Sequence, residues 1–547
     1  MKDVLAEAKR LMALGAADAH RPYEHLYEAR QQLLAATAQT PQDQLLRLSL
    51  LGQIAMAVEE PHEAQPCLEK ALAVLPASAP LLAFVGSLAP DAAASTVPNA
   101  LPPPSHLVPA NINVDLVDVV ELLNQLGILW CHRSQHAKAL SYLATADALC
   151  ATDADTDAPL GTAHTHTMFY LAQVYGHVGD AATSAHYCQQ TLRRQLQASG
   201  PLTDELPPDW VKNCLGLATF YTTTHAPAAA IECVLACKHA TPQNDDIDDD
   251  LRGRIALVEA KIYLDVLQRP PTVLAPPPPP LFPSLPHPAS ANDLWPLMSP
   301  LTSLDDARPL FKRAMACLDV AKEVFVLDGH VTDHIRVLQL QSSAYARLLP
   351  YEPDRKRQMA MLTRRLSYLT PLLFHPDGSD AVDLNRNAFG YLVQELLFEA
   401  ADVYGALHDL KCLHLSKAYA QTNSYGQDGI RCYTRFLQLY YFQQGTDARS
   451  EIDVPLPRPL RRPTHLSSDE DLLPFFTGVF YLARLYGKLQ FLDTAATVHA
   501  WSESLRLHEY VVALTASATC FQAERAISLE MTQLLPEKIN RAHFGSR

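Results

Sequence analysis

Glycine is scarce in this chain, 20 residues of 547, and no run of alternating β-branched residues appears. Both absences argue against a sheet. Alanine and leucine abound, and apolar residues recur at three- and four-residue intervals, so the chain is expected to be helical nearly throughout. A surplus of basic residues is missing too. Lys and Arg number 44 against 59 Asp and Glu, a formal net charge of -15. That balance argues against nucleic acid and anionic membranes as partners and favours a basic protein. No run approaches the roughly 20 apolar residues that span a bilayer, so stable membrane insertion is not expected. The N-terminus MKDVLAEAKRLMALG carries Asp3 and Glu7 and lacks the apolar core of a signal peptide, which predicts a cytoplasmic protein. The 11 cysteines include no CxxC pair and read as reduced thiols packed as small core residues. Phosphate-binding glycine loops, G-x-S-x-G elbows and H-E-x-x-H helices are all lacking, so neither an enzyme nor a bound metal or cofactor is expected.

What is present is a repeat. In the stretch MFYLAQVYGHVGD, from Met168 to Asp180, Leu171, Val174 and Tyr175 share one helix face. Ala172 admits a neighbouring helix, and Gly179 ends the helix in a turn. With such small residues as origin, other segments align. Counting from Gly52, Ala64 stands twelve on, Leu68 sixteen, Ala71 nineteen and Pro76 twenty-four. This matches the tetratricopeptide signature, in which small residues occupy the crossing of paired helices and proline stops the second. The same offsets from Gly127 give Ala139, Leu143 and Ala146, and from Ala218 they give Ala230, Val234 and Cys237. From Ala172 they give Ser184 and Cys188, a poorer fit. The second half keeps the first-helix phrase at Ala401 with Tyr404 and at Ala483 with Tyr486. The expected fold is an all-α, right-handed α-solenoid of tetratricopeptide-like hairpins in two subdomains. The boundaries are 1–268, a proline-rich linker at 269–303, and 304–547. Ser467 and Glu470 stand at capping-box spacing before the helix that contains Ala483.

Several clusters invite a chemical reading and are better explained structurally. His132 and His136 lack a third ligand of suitable spacing and read as solvated turn histidines. Cys237 falls where the repeat places a small core residue, so Cys233 and Cys237 read as packing. The acidic run Asp245 to Asp250 lacks the glycine and glutamate of an EF-hand loop and precedes a helical stretch. Asp333 and His334 follow Thr332 and read as a capped helix start. The concave face of a solenoid, lined by first helices, is the better site. Residues between the packing positions there are His166, Phe169, Tyr170 and Gln173 near Ala172. Near Ala218 they include Thr219, Thr222 and Thr223, and near Gly127 they include Asn124. These groups can hydrogen-bond a protein surface without burying charge. A different reading makes the chain a generic tetratricopeptide scaffold, whose Pro276 to Pro280 recruits an SH3- or profilin-like partner.

The phrase Y-L-A-Q-V-Y followed by AHYCQQTLRRQL resembles the KIF-binding protein family, cytosolic inhibitors of kinesin motors. LNQLGILW, SYLATADAL, LDGHVTDHI, SAYARL, KRQMAMLTRRLSYLTPL, YLARLYGKL and EMTQLLPEKI continue the likeness in order to the C-terminus. The resemblance implies a monomeric, cytoskeleton-associated α-solenoid that embraces a kinesin motor domain and covers its microtubule-binding helix. It also implies that Tyr170 and Gln173 face the motor, with Gln195 of the R-Q-L phrase beside them. A hydroxyl residue of the family is replaced here by Gly216.

Overall fold

The computed structural model describes residues 1–18, 21–75, 115–150, 158–199, 206–241, 249–269, 280–283, 300–375, 386–414, 419–441, 456–466, 468–516 and 520–544, with the single residues 85, 384 and 518. Among them are nineteen α-helices and no strand. The first ten are α1 (Lys2–Ala17), α2 (Pro22–Ala35), α3 (Pro41–Ala57), α4 (Pro61–Val74), α5 (Leu116–His132), α6 (His136–Cys150), α7 (Ala158–Val178), α8 (Ala181–Ala198), α9 (Trp210–Thr223) and α10 (Pro227–Ala240). The others are α11 (Asp249–Gln268), α12 (Leu304–Val324), α13 (Val331–Leu348), α14 (Arg355–Leu369), α15 (Arg386–His414), α16 (Tyr419–Leu439), α17 (Asp469–Lys488), α18 (Thr494–Leu514) and α19 (Gln522–Phe544).

Two compact units result. One comprises Met1–Gln243 with Pro278–Pro288, the other Asn244–Pro277 with Ala289–Arg547. Within each, helices adjacent in sequence pack on each other: α1 on α2 and so on to α9 on α10, then α11 on α12 through to α18 on α19. This nearest-neighbour packing is the all-α solenoid arrangement. The helix α11, which the sequence groups with the N-terminal half, packs on α12 and belongs to the second unit. Its apolar face meets Leu318 and Ala321 of α12, and Phe325 just past the end of α12, through Ala256 and Ala260.

The repeat logic holds at atomic distance. A Cβ placed on Gly52 would lie 2.5 Å from Leu68 Cδ2, and one on Gly127 would lie 2.5 Å from Leu143 Cγ. These are the pairs sixteen residues apart. Each glycine lets a leucine of the second helix seat against the first helix's backbone. At Ala172 the second helix approaches by a hydrogen bond instead, Ser184 Oγ donating to the Ala172 carbonyl at 2.7 Å.

All four of these hairpins turn in the same way. Glu59, Ser134, Gly179 and His225 have φ of 62°, 57°, 88° and 60°, and each stands seven residues after its small residue. The next amide closes a six-residue bond: Glu60 to the Ala55 carbonyl, Gln135 to Trp130, Asp180 to Tyr175 and Ala226 to Tyr221, at 2.8 to 3.0 Å. These are Schellman turns.

Two helix starts differ from expectation by a residue or more. The cap of α17 is Ser468, which accepts from the Asp471 amide at 3.0 Å and donates to its carboxylate at 2.6 Å. Burial of Leu472, Phe475 and Phe476 sets that register. Helix α13 begins at Val331, after His330 and without a side-chain cap, so Thr332 lies inside its first turn. His334 Nδ1 donates to the Phe325 carbonyl at 2.8 Å and ties that end down. In the proline-rich stretch, Phe282 is buried against Trp210, and its amide donates to Glu232 at 3.1 Å. Pro276 to Pro279 lie outside the described residues, as do Asp245 to Asp248 of the acidic run.

Candidate partner-binding surface

Helix α7 is two-sided because its apolar residues recur at helical spacing. Met168, Leu171 and Val174 are buried, while His166 and Gln173 are exposed and Phe169 and Tyr170 half-buried. Three hydrogen bonds and a ring stack fix the helix. Asn124 Nδ2 on α5 donates to the Ala163 carbonyl at 3.1 Å, and Asn124 Oδ1 accepts from Thr167 Oγ1 at 2.9 Å. Asp147 on α6 accepts from His164 Nε2 at 2.6 Å and, with its other oxygen, from the Tyr187 hydroxyl of α8 at 3.2 Å. The Tyr175 and Tyr187 rings stack at 5.8 Å. Burial, then the Asp147 charge, push the Tyr187 hydroxyl well above its ordinary range, so it stays a donor.

Between α7, α8 and α9 lies a cavity of about 340 Å³. Phe169, Gln173 and His177 enter it from α7, Cys188 and Thr191 from α8, and Asn213 from α9. The reason for the void is visible in the repeat. The position sixteen after the small residue is Leu68, Leu143 and Val234 in the other three hairpins, each fully buried, but it is the smaller Cys188 here. No Lys, Arg, Asp or Glu lines the space. Burial holds the Cys188 thiol at about 11, neutral at ordinary pH, so what the cavity offers is an aromatic ring, two amides, an imidazole and the hydroxyls of Ser184 and Thr191.

Of the residues nominated from sequence, Phe169 and Gln173 line this cavity, and His166 and Tyr170 flank them on α7. The Tyr170 ring packs on the cluster around Trp130, Leu143 and Leu171, and burial raises its hydroxyl above the usual range. Gln195 is half-buried on α8, one turn beyond Thr191. Thr219 and Thr222 stand on α9, and their hydroxyls donate to the Leu215 and Ala218 carbonyls of their own helix at 3.0 and 2.8 Å. They are left as acceptors. Gly216, exposed, has open space where a side chain would stand. Asn124 is the exception: it is buried with its amide engaged, a joint between α5 and α7 with no free face.

Sequence reading missed His177, Thr191 and Asn213, and took Cys188 only as a packing position. The signal was its small size where the other hairpins carry leucine or valine. His136, read as a solvated turn histidine, is instead half-buried at the start of α6. His136 stacks on His177 at 5.4 Å, and Cys233 and Cys237 are fully buried. Among the described residues, no group of three or more His, Cys, Asp or Glu could hold a metal ion, and no helix is long and apolar enough to cross a membrane. A second cavity, about 420 Å³, lies in the other unit and contains charge, Asp428 and Arg431, with the Arg431 guanidinium 4.3 Å over the Phe374 ring.

Known proteins resemble this chain over most of its length. Residues 291–542 match the family model described as KIF-1 binding protein C terminal. The chain is 26% identical to the KIF-binding protein of Gallus gallus over 80% of its own length and 82% of the other's. For the KIF-binding protein of Danio rerio the identity is 27%, over 77% and 76% of the two chains. For that of Drosophila melanogaster it is 23%, over 70% and 67%.

Proposed function

From a chain that is a relative of the KIF-binding proteins across most of its length, we propose a cytoplasmic, cytoskeleton-associated regulator that binds kinesin motor domains and blocks their attachment to microtubules. The observation that carries this reading is the uncharged cavity of the first unit. Phe169 and Gln173 line it and Tyr170 and His166 flank it, all on one helix of the solenoid. A motor surface that holds acidic tubulin is basic, and a chain of net charge -15 attracts it. At contact, rings and amides bind without desolvating charge. Thr219, Thr222 and Gln195 extend the surface on either side, and the chain acts as a monomer.

The test is capture of purified motor domains, followed by microtubule co-sedimentation. Gln173→Ala combined with Tyr170→Phe keeps the packed ring and removes both polar contacts. Capture should weaken about tenfold or more, and motors should return to the microtubule pellet. Undiminished capture by a folded double variant would remove these residues from the interface. Deleting Pro276 to Pro280 should leave capture unchanged.

A further inference from the structure

The segment Leu456–Leu466, which leads into α17, carries Arg461, Arg462, Pro463 and Thr464 in succession. Thr464 lies on an exposed turn, and its hydroxyl has no hydrogen-bond partner among the described residues. Arg461 is also exposed, while its carbonyl accepts from the Tyr441 hydroxyl at 2.5 Å. Arg462 turns inward. Its Nε donates to the Leu514 carbonyl at 3.0 Å, its Nη2 donates to the same oxygen, and its Nη1 lies 3.8 Å from Asp469. The guanidinium also covers the Phe476 ring at 5.5 Å. One side chain therefore fastens this segment to the last residue of α18 and to the first turns of α17.

We propose that Thr464 is the acceptor for an arginine-directed protein kinase, and that the phosphate it gains draws Arg462 off Leu514. Kinases of this class recognise cationic side chains two and three residues before the hydroxyl through acidic subsites. Arg461 stands exposed three residues before the hydroxyl, and Arg462, two before it, is held on Leu514 until a kinase engages it. In the reaction the Thr464 oxygen attacks the γ-phosphorus of ATP and forms the new P–O bond. The bond from that phosphorus to the bridging oxygen breaks and ADP departs, while the hydroxyl proton passes to the kinase's catalytic aspartate. The product carries a charge of about -1.5 to -2 and three strong acceptor oxygens.

Its neighbours decide where those oxygens find donors. Asp469, Glu470 and Asp471 fill the first turn of α17 and repel the phosphate, whereas Arg461 and Arg462 stand within three residues of it. A phosphate accepts from guanidinium more strongly than a backbone carbonyl does. Leu514 contributes one of the carbonyls that a helix end leaves without an internal partner, so losing Arg462 loosens the end of α18.

Full-length protein incubated with ATP and the catalytic subunit of a cyclic-AMP-dependent kinase provides the test. Intact-mass measurement should show one phosphoryl group, mapped by fragmentation to Thr464 and abolished by Thr464→Ala. Arg461→Ala should slow its incorporation by about tenfold. Amide hydrogen exchange in the last turn of α18 should quicken by about tenfold on phosphorylation, and likewise in unmodified Arg462→Ala. A wild-type protein that takes up no phosphate, or a Thr464→Ala variant labelled as fast as wild type, overturns the site. Phosphorylated protein whose α18 exchanges as before overturns the role given to Arg462.

Discussion

Glu59, Ser134 and His225 occupy a left-handed backbone conformation that suits glycine, and Gly179 occupies the fourth copy of it. An L-residue there costs about 1 to 2 kcal/mol against an ordinary helical conformation. The Schellman geometry imposes the positive φ whichever side chain is present, so only Gly179 betrayed its turn in the sequence. His225→Gly should therefore stabilise the first unit by up to about 1 kcal/mol, and Gly179→Ala should destabilise it by about as much. Urea midpoints measure both, and equal midpoints for the two variants and wild type would refute strain at this position. Asn124 teaches the opposite lesson. Its place between packing positions suggested the groove, but helical spacing alone does not reveal that α7 crosses α5 there and takes up both ends of its amide.

Helices were legible where small residues set their crossings. The glycine-to-leucine pairs at Gly52 and Gly127 were found by counting, because a fixed offset in a hairpin fixes which two residues meet. In the second unit the counting failed, since α16 and α17 meet through Gly429 against Leu485 and Gly478 against Phe436, a contact between successive hairpins. The candidate cavity was half legible: α7 supplied its nominated residues, while the contribution of α8 depended on noticing Cys188. The pair of positions can be tested from both sides. Gly127→Ala drives a methyl into Leu143 and should cost about 1 to 3 kcal/mol. Cys188→Leu has room to fill the cavity, so it should leave thermal stability unchanged or higher while weakening motor capture. A Cys188→Leu protein that unfolds as readily as Gly127→Ala would contradict the void.

The molecule as a whole answers to pH through groups buried in its interior. His508 of α18 is fully buried, with Nδ1 3.1 Å from Ser528 Oγ, Nε2 unpartnered among the described residues, and the Phe480 ring edge-on at 6.0 Å. Burial first, and then the Arg484 charge, lower its pKa to about 4 from an ordinary 6.5. Between those values the unfolded chain binds a proton that the folded chain refuses. The contribution of His508 to the second unit's stability is thus fully present above pH of about 6.5 and lost as pH falls toward about 4. At about pH 5 the loss is on the order of 2 kcal/mol. Urea midpoints compared at about pH 7.5 and about pH 5 should differ less for His508→Leu than for wild type, and an identical difference would assign the pH response elsewhere.

The absence of Lys, Arg, Asp and Glu from the lining of the first unit's cavity separates two stages of an encounter. A cationic visitor senses the acidic surface from about a screening length away, so dissolved ions govern how often it arrives. Once seated among uncharged rings and amides it is held by forces that those ions scarcely reach, and the lifetime of the complex becomes a property of shape.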